Sequence, residues 1–174
     1  HKRFSLGSAS APVHFDAFMD FLCDDSKDAW PVVKAVLSHY PDTIHFTFHP
    51  FPLPYFTNAF VVAQSGFVVA NASASTNGVF DWLETMFKHQ GEFMDETVST
   101  AEVKQQLARL SDDTGLVDAA TMLSGLNGVD NDWHFWRQAQ VQWKFGCSNA
   151  IGGTPTFRLN GVAIGSPPTS LAGW

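Results

Sequence analysis

Thirteen consecutive residues, Ala11 to Cys23 (APVHFDAFMDFLC), are almost continuously apolar and rich in aromatics. A run of this kind suits a strand buried on both faces, so the segment belongs at the centre of a sheet. The rest of the chain must then cover both sides of it. DDSKDAWPVVKAVLSHYP (24–41) supplies the first cover. Its leading acids suit the positive end of a helix dipole, and Trp30, Val33, Val36 and Leu37 recur at helical spacing. Pro31 inside that pattern predicts a kink or a distorted second turn.

The next segment, DTIHFTFHPF (42–51), alternates Ile44, Phe46 and Phe48 with polar residues, which predicts a strand with one apolar face. A helix over about 55–72 is apolar almost all round and should be buried. Residues 78–150 then read as purely helical. VFDWLETMFKH ends at Gly91, and STAEVKQQLARL opens with a capping box of Ser99 and Glu102. A third helix stops at Asn127-Gly128. A fourth, DNDWHFWRQAQVQWKFG, carries Trp133, Trp136 and Trp143 on one stripe, with Gly146 at its end. The stripe reads as core, because that spacing is what packing requires. TPTFRLNGVAIG (154–165) places Asn160-Gly161 between two short apolar runs, a strong hairpin signal. The expected architecture is α/β: one domain over 1–174, in which the helical block 78–150 is an inserted subdomain.

The formal charge is −7 and the few lysines and arginines are scattered, which leaves no electrostatic footprint for nucleic acid. No apolar run approaches the ~20 residues of a membrane helix, so membrane insertion is not expected. Two cysteines, Cys23 and Cys147, are too few for a disulfide-built scaffold or a four-cysteine zinc site. His45 and His49, four apart on a strand, stand ~13 Å from each other, too far to chelate one metal ion unaided. A polar strand face is the better account, and no metal is expected. The Asn71–Ser73 glycosylation pattern is frequent enough by chance to carry nothing. Asp16 and Asp20 are unusual charges in a central strand pattern, for which a strand-end or register role is expected.

These pieces line up as a known arrangement. A strand ends in Cys23 and opens a helix, Ser26 stands three residues on, a helical block follows, and GGTPTFRLNG precedes a hairpin. This resembles the DsbA-like branch of the thioredoxin superfamily over roughly residues 12 to 166. The resemblance implies a thioredoxin-like fold with a helical cap and a cis-proline at Pro155, preceded by Thr154, facing Cys23 across a substrate groove. Three departures matter. Ser26 replaces the resolving cysteine, Asp24-Asp25 fill positions that are often neutral, and SPPTSLAGW supplies at most the first turn of the expected last helix.

On this reading Cys23 is the nucleophile and Ser26 its hydrogen-bond partner. A helix N-terminus favours a thiolate, and two adjacent carboxylates oppose it, so a modestly activated thiol is expected. A serine cannot resolve a mixed disulfide. Exchange must then use an external thiol such as glutathione, and no other cofactor is expected. The partners are thiol- or disulfide-containing proteins, or glutathione itself, in the secretory pathway or outside the cell. Disulfide isomerisation, glutathione-linked exchange and client retention all remain open. So does a catalytically inactive thioredoxin-like binding module. Cys147 would either pair with Cys23 or be a buried small hydrophobe.

Overall fold

The computed structural model describes residues 4–128 and 132–174. Its elements are β1 (Ser5–Leu6), β2 (Val13–Met19), α1 (Asp24–His39), β3 (Ile44–Pro50), α2 (Ala59–Ala72), α3 (Gly78–His89), α4 (Thr100–Asp113), α5 (Ala119–Asn127), α6 (His134–Ser148), β4 (Thr156–Leu159) and β5 (Val162–Ala163). Short 3₁₀ turns lie at Gln90–Phe93 and Leu171–Gly173. The strands form one sheet in the order β1-β3-β2-β4-β5. The apolar run thus supplies the central strand, parallel to β3 and antiparallel to β4. Phe15 pairs with Phe46 on one side and with Leu159 on the other. The run stops being strand at Met19; Phe21 and Leu22 are buried in the turn that leads to α1.

Local chemistry explains the boundaries. Ser99 caps α4 by accepting the Glu102 N–H at 3.2 Å. Gly128 ends α5 with φ +73°, the left-handed conformation that glycine adopts at no steric cost. Asn160 and Gly161, at φ +49° and +81°, make the β4–β5 turn. Asn160 Oδ1 also accepts the His14 N–H at 2.8 Å, tying the hairpin to β2. α1 runs unbroken through Pro31. The last residues form a 3₁₀ turn, and the Trp174 ring packs on Phe15 and Phe157 at centroid distances of 4.9 and 5.9 Å.

The main core joins Phe15, Phe46 and Phe48 of the sheet to Trp30, Val62, Trp82, Leu107 and Met122 from five helices. A second, smaller cluster holds Phe18, Cys23, Phe51, Leu53 and Ile151. Phe18 points away from Ala17 and Met19, as neighbours on a strand must. α6 covers this side, with Phe145 stacked over Phe18 at 6.1 Å.

The tryptophan stripe is not the inward face of α6. That face is Phe135, Ala139 and Gly146. Trp133 and Trp136 are exposed, and Trp143 is half-buried against the smaller cluster. Small residues let the helix approach closely: a Cβ on Gly146 would stand 2.4 Å from the Phe51 ring. Gly146 therefore lies within α6, which continues to Ser148. Residues 130 and 131, read as the start of this helix, lie outside the described residues.

Candidate functional site

Cys23 is the N-cap residue of α1, in extended conformation, and is 6% exposed. Its N–H bonds back to the Asp20 carbonyl at 3.2 Å, and its own carbonyl accepts from Lys27 at 3.1 Å. The thiol donates to the Thr154 carbonyl at 3.3 Å. That contact spans 131 positions of sequence, and it brings together the two segments that carried the resemblance. The Thr154–Pro155 peptide is cis. Thr154 Oγ1 is buried without a hydrogen-bond partner, beside the sulfur's acceptor.

Ser26 is fully buried in the first turn of α1. Its hydroxyl accepts the Asp20 N–H at 3.3 Å. Ser26 and Cys23 are thus bonded to different partners, and the expected sulfur–hydroxyl bond is replaced by two bonds that hold the turn. Asp20, 1% exposed, links the turn to the next loop. One carboxylate oxygen accepts from Leu22 N–H at 3.0 Å, the other from Leu53 N–H at 2.8 Å. Burial pushes its pKa up to about 6, against the two N–H groups, which pull it down. Asp20 therefore serves at the end of β2, where Leu22 and Leu53 flank the thiol.

Two grooves are formed by the elements around Cys23, through Pro155 in one and Leu53 in the other, and Cys23 itself lines neither. One, of about 330 Å³, lies between α1 (Asp25, Asp28, Val32) and Pro155, with Phe157 and Trp174 also lining it. The other, of about 380 Å³, lies between the loop Pro52–Pro54 and α6. Tyr55 is exposed, in the loop after β3, within electrostatic reach of Cys23. Desolvation, then the negative charge of Cys23, Asp20 and Asp25, pushes its phenol above the usual range. Tyr55 had no signal in sequence, because only the loop after β3 brings it to Cys23. A third cavity, of about 690 Å³, is lined by Phe4, His49, Phe67 and α6.

The other sequence candidates separate from the thiol. His49 bonds Asp16 at 2.9 Å and Gln142 at 3.0 Å, and lies over Phe18. It ties α6 to the sheet. No group of three or more His, Cys, Asp or Glu placed to hold a metal ion occurs among the described residues. Cys147 is a free thiol, and it is exposed on α6, not buried as a small hydrophobe. Its neighbour Gly146 takes the inward position.

The Phe51–Gly146 contact supports the wall behind Cys23, which leads to a stability prediction. Gly146→Ala places a methyl group inside the Phe51 ring's contact distance. It should destabilise the fold by roughly 1–3 kcal/mol despite alanine's better helix propensity. A urea melt matching the wild type would show that α6 and Phe51 are not in close contact.

Comparison with known proteins follows the same lines. The family model described as Thioredoxin matches residues 1–172. No curated protein matches the chain. Among solved structures, a candidate protein-disulfide isomerase from Pseudomonas syringae superposes with a TM-score of 0.81 at 17% identity, over 99% of this chain and 95% of that one. Oxidised BdbD from Bacillus subtilis gives 0.76 at 19% identity, over 94% and 84%. DsbA2 from Pseudomonas aeruginosa gives 0.72 at 16% identity, over 99% and 92%. At these identities the likeness is one of fold, including the helices inserted before β4.

Proposed function

This chain belongs to the thioredoxin family, and on that basis we propose that it performs thiol–disulfide exchange through one cysteine, Cys23. The observation that carries the reading is the thiol's position. It sits at the N-cap of α1 and donates to the Thr154 carbonyl, 131 positions away in sequence. Unpaired backbone N–H groups at a helix start favour negative charge there. Asp24 and Asp25 in the first turn oppose it.

The Cys23 thiolate attacks one sulfur of a client disulfide. A mixed disulfide forms, and the other client sulfur leaves as a thiolate that takes up a proton. An external thiol, glutathione or a client cysteine, then attacks the mixed disulfide and regenerates Cys23. Ser26 has no part in the electron transfer; it holds the turn through Asp20. Thr154 and Pro155 flank the sulfur and border the path of a bound client. The partners are proteins bearing thiols or disulfides, in an oxidising, secretory-type compartment. No helix among the described residues is long and apolar enough to cross a membrane.

The burial of Cys23 favours a second reading, a thioredoxin-like binding module without exchange chemistry. One experiment separates the two. A Cys147→Ser protein is incubated with oxidised glutathione and its intact mass is measured. Exchange chemistry should add one glutathione, released by dithiothreitol. An unmodified protein after prolonged incubation, with the thiol still alkylated on denaturation, would leave the binding module.

A further inference from the structure

We infer that the groove between the loop after β3 and α6 takes an aromatic side chain, flanked by an acidic residue, from an extended client polypeptide held at Cys23. The inference rests on the exchange reading for its client, and on the groove's own geometry for its chemistry. Leu53 and Phe56 line the groove, and both pack with the cluster that contains Cys23, so groove and sulfur share one apolar cluster. Its opposite wall is Trp136 and Trp143 on α6. The Trp136 ring lies 5.7 Å from Phe60 and is 37% exposed. Trp143 lies nearly parallel to the Phe51 ring at 6.5 Å.

Such rings on the surface are the residues that carry binding energy at interfaces, since a flat apolar face is buried with little loss of conformational freedom. The inward face of α6 does not need them, because Phe135, Ala139 and Gly146 fill it. Lys144 lines the same groove and makes it electrostatically unlike its counterpart, where Asp25 and Asp28 line the wall. An acidic neighbour on the client is complementary to the α6 side and is repelled from the α1 side. An extended segment, rising about 3.3 Å per residue, presents successive side chains along its length, so one can meet the sulfur while another enters the groove.

The test needs no thiol chemistry. A fluorescein-labelled, cysteine-free nonapeptide with one Trp beside an Asp is titrated against the full chain by anisotropy. A peptide with Gly in place of Trp is the comparison. The Trp peptide should bind at least about tenfold tighter. Trp136→Ala should remove the difference. Lys144→Glu, at an exposed position, should weaken the Trp–Asp peptide severalfold and leave a Trp–Asn peptide unchanged. Gln140→Trp, which fills the groove, should block binding in a protein with an intact Trp136. Equal binding of the Trp and Gly peptides, or a preference that survives both Trp136→Ala and Gln140→Trp, would overturn the inference. The glutathione adduct on Cys23 reads the exchange reaction separately. An adduct without peptide preference removes the groove alone, and peptide preference without an adduct removes the exchange reading alone.

Discussion

Replacing Ser26 by cysteine should turn the Cys23–glutathione adduct from an end point into an intermediate. Ser26 is in the first turn of α1, three residues after the N-cap Cys23, a spacing at which side chains on a helix meet. In the Cys147→Ser protein the adduct has no internal thiol to attack it, and it persists until an external thiol arrives. With Ser26→Cys added, the introduced thiol attacks Cys23, glutathione leaves, and an internal disulfide remains. Intact mass should show the adduct lost and the protein two hydrogens lighter. The substitution costs some stability. The Ser26 oxygen accepts the Asp20 N–H at 3.3 Å in a fully buried position. Sulfur is larger and a weaker acceptor, so a loss on the order of 1 kcal/mol is expected. A persistent adduct in folded Ser26→Cys protein would show that the two side chains do not meet, and that Ser26 does not occupy the place of a resolving group.

How far the site could be read beforehand depended on whether a residue's role is local. The alternation of Ile44, Phe46 and Phe48 is decided within one strand, and those residues are buried. The Ser99 cap, the Gly128 stop and the Asn160-Gly161 turn are likewise settled by a few neighbouring atoms. Cys23, Thr154 and Pro155 could be brought together only through the resemblance, because no local rule joins positions 131 apart. The tryptophans of α6 show where spacing fails. A helix can carry two apolar stripes, and which one turns inward depends on how closely it can approach its neighbour. Ala139 and Gly146 permit a close approach that tryptophan would prevent. β1, only two residues long, has no detectable period and exists because Ser5 and Leu6 pair with Thr47 and Phe46. Asp20 was visible as a misplaced charge, but its partner Leu53 lies 33 residues away.

That misplaced charge should make stability fall as pH rises from about 4 to 6.5, the reverse of ordinary acid denaturation. The Asp20 carboxyl has a folded-state pKa of about 6 against an ordinary value of 3.8. Between these values the folded protein holds a proton that the unfolded chain has released. The contribution is therefore fully present below pH 3.8 and is lost as pH rises through 6. Its size is roughly 3 kcal/mol, since one pKa unit corresponds to about 1.4 kcal/mol. Asp95 and Asp118, whose carboxyls are lowered by hydrogen bonds from Thr97 and Thr121, act in the opposite sense but only below 3.8. They also cancel in a comparison of variants. Asp20→Asn keeps the shape but offers one acceptor where Leu22 and Leu53 need two, so it should be less stable than the wild type at pH 4. The deficit should shrink by roughly 2 kcal/mol by pH 7, where the wild type carries a buried charge and the variant does not. Urea melts at four pH values between 4 and 7 measure this directly. Parallel curves for the two proteins would mean that Asp20 is ionised in the folded state across the range. Converging curves would place a titrating acid between Leu22 and Leu53, so that the same proton that stabilises the fold also sets the charge behind Cys23.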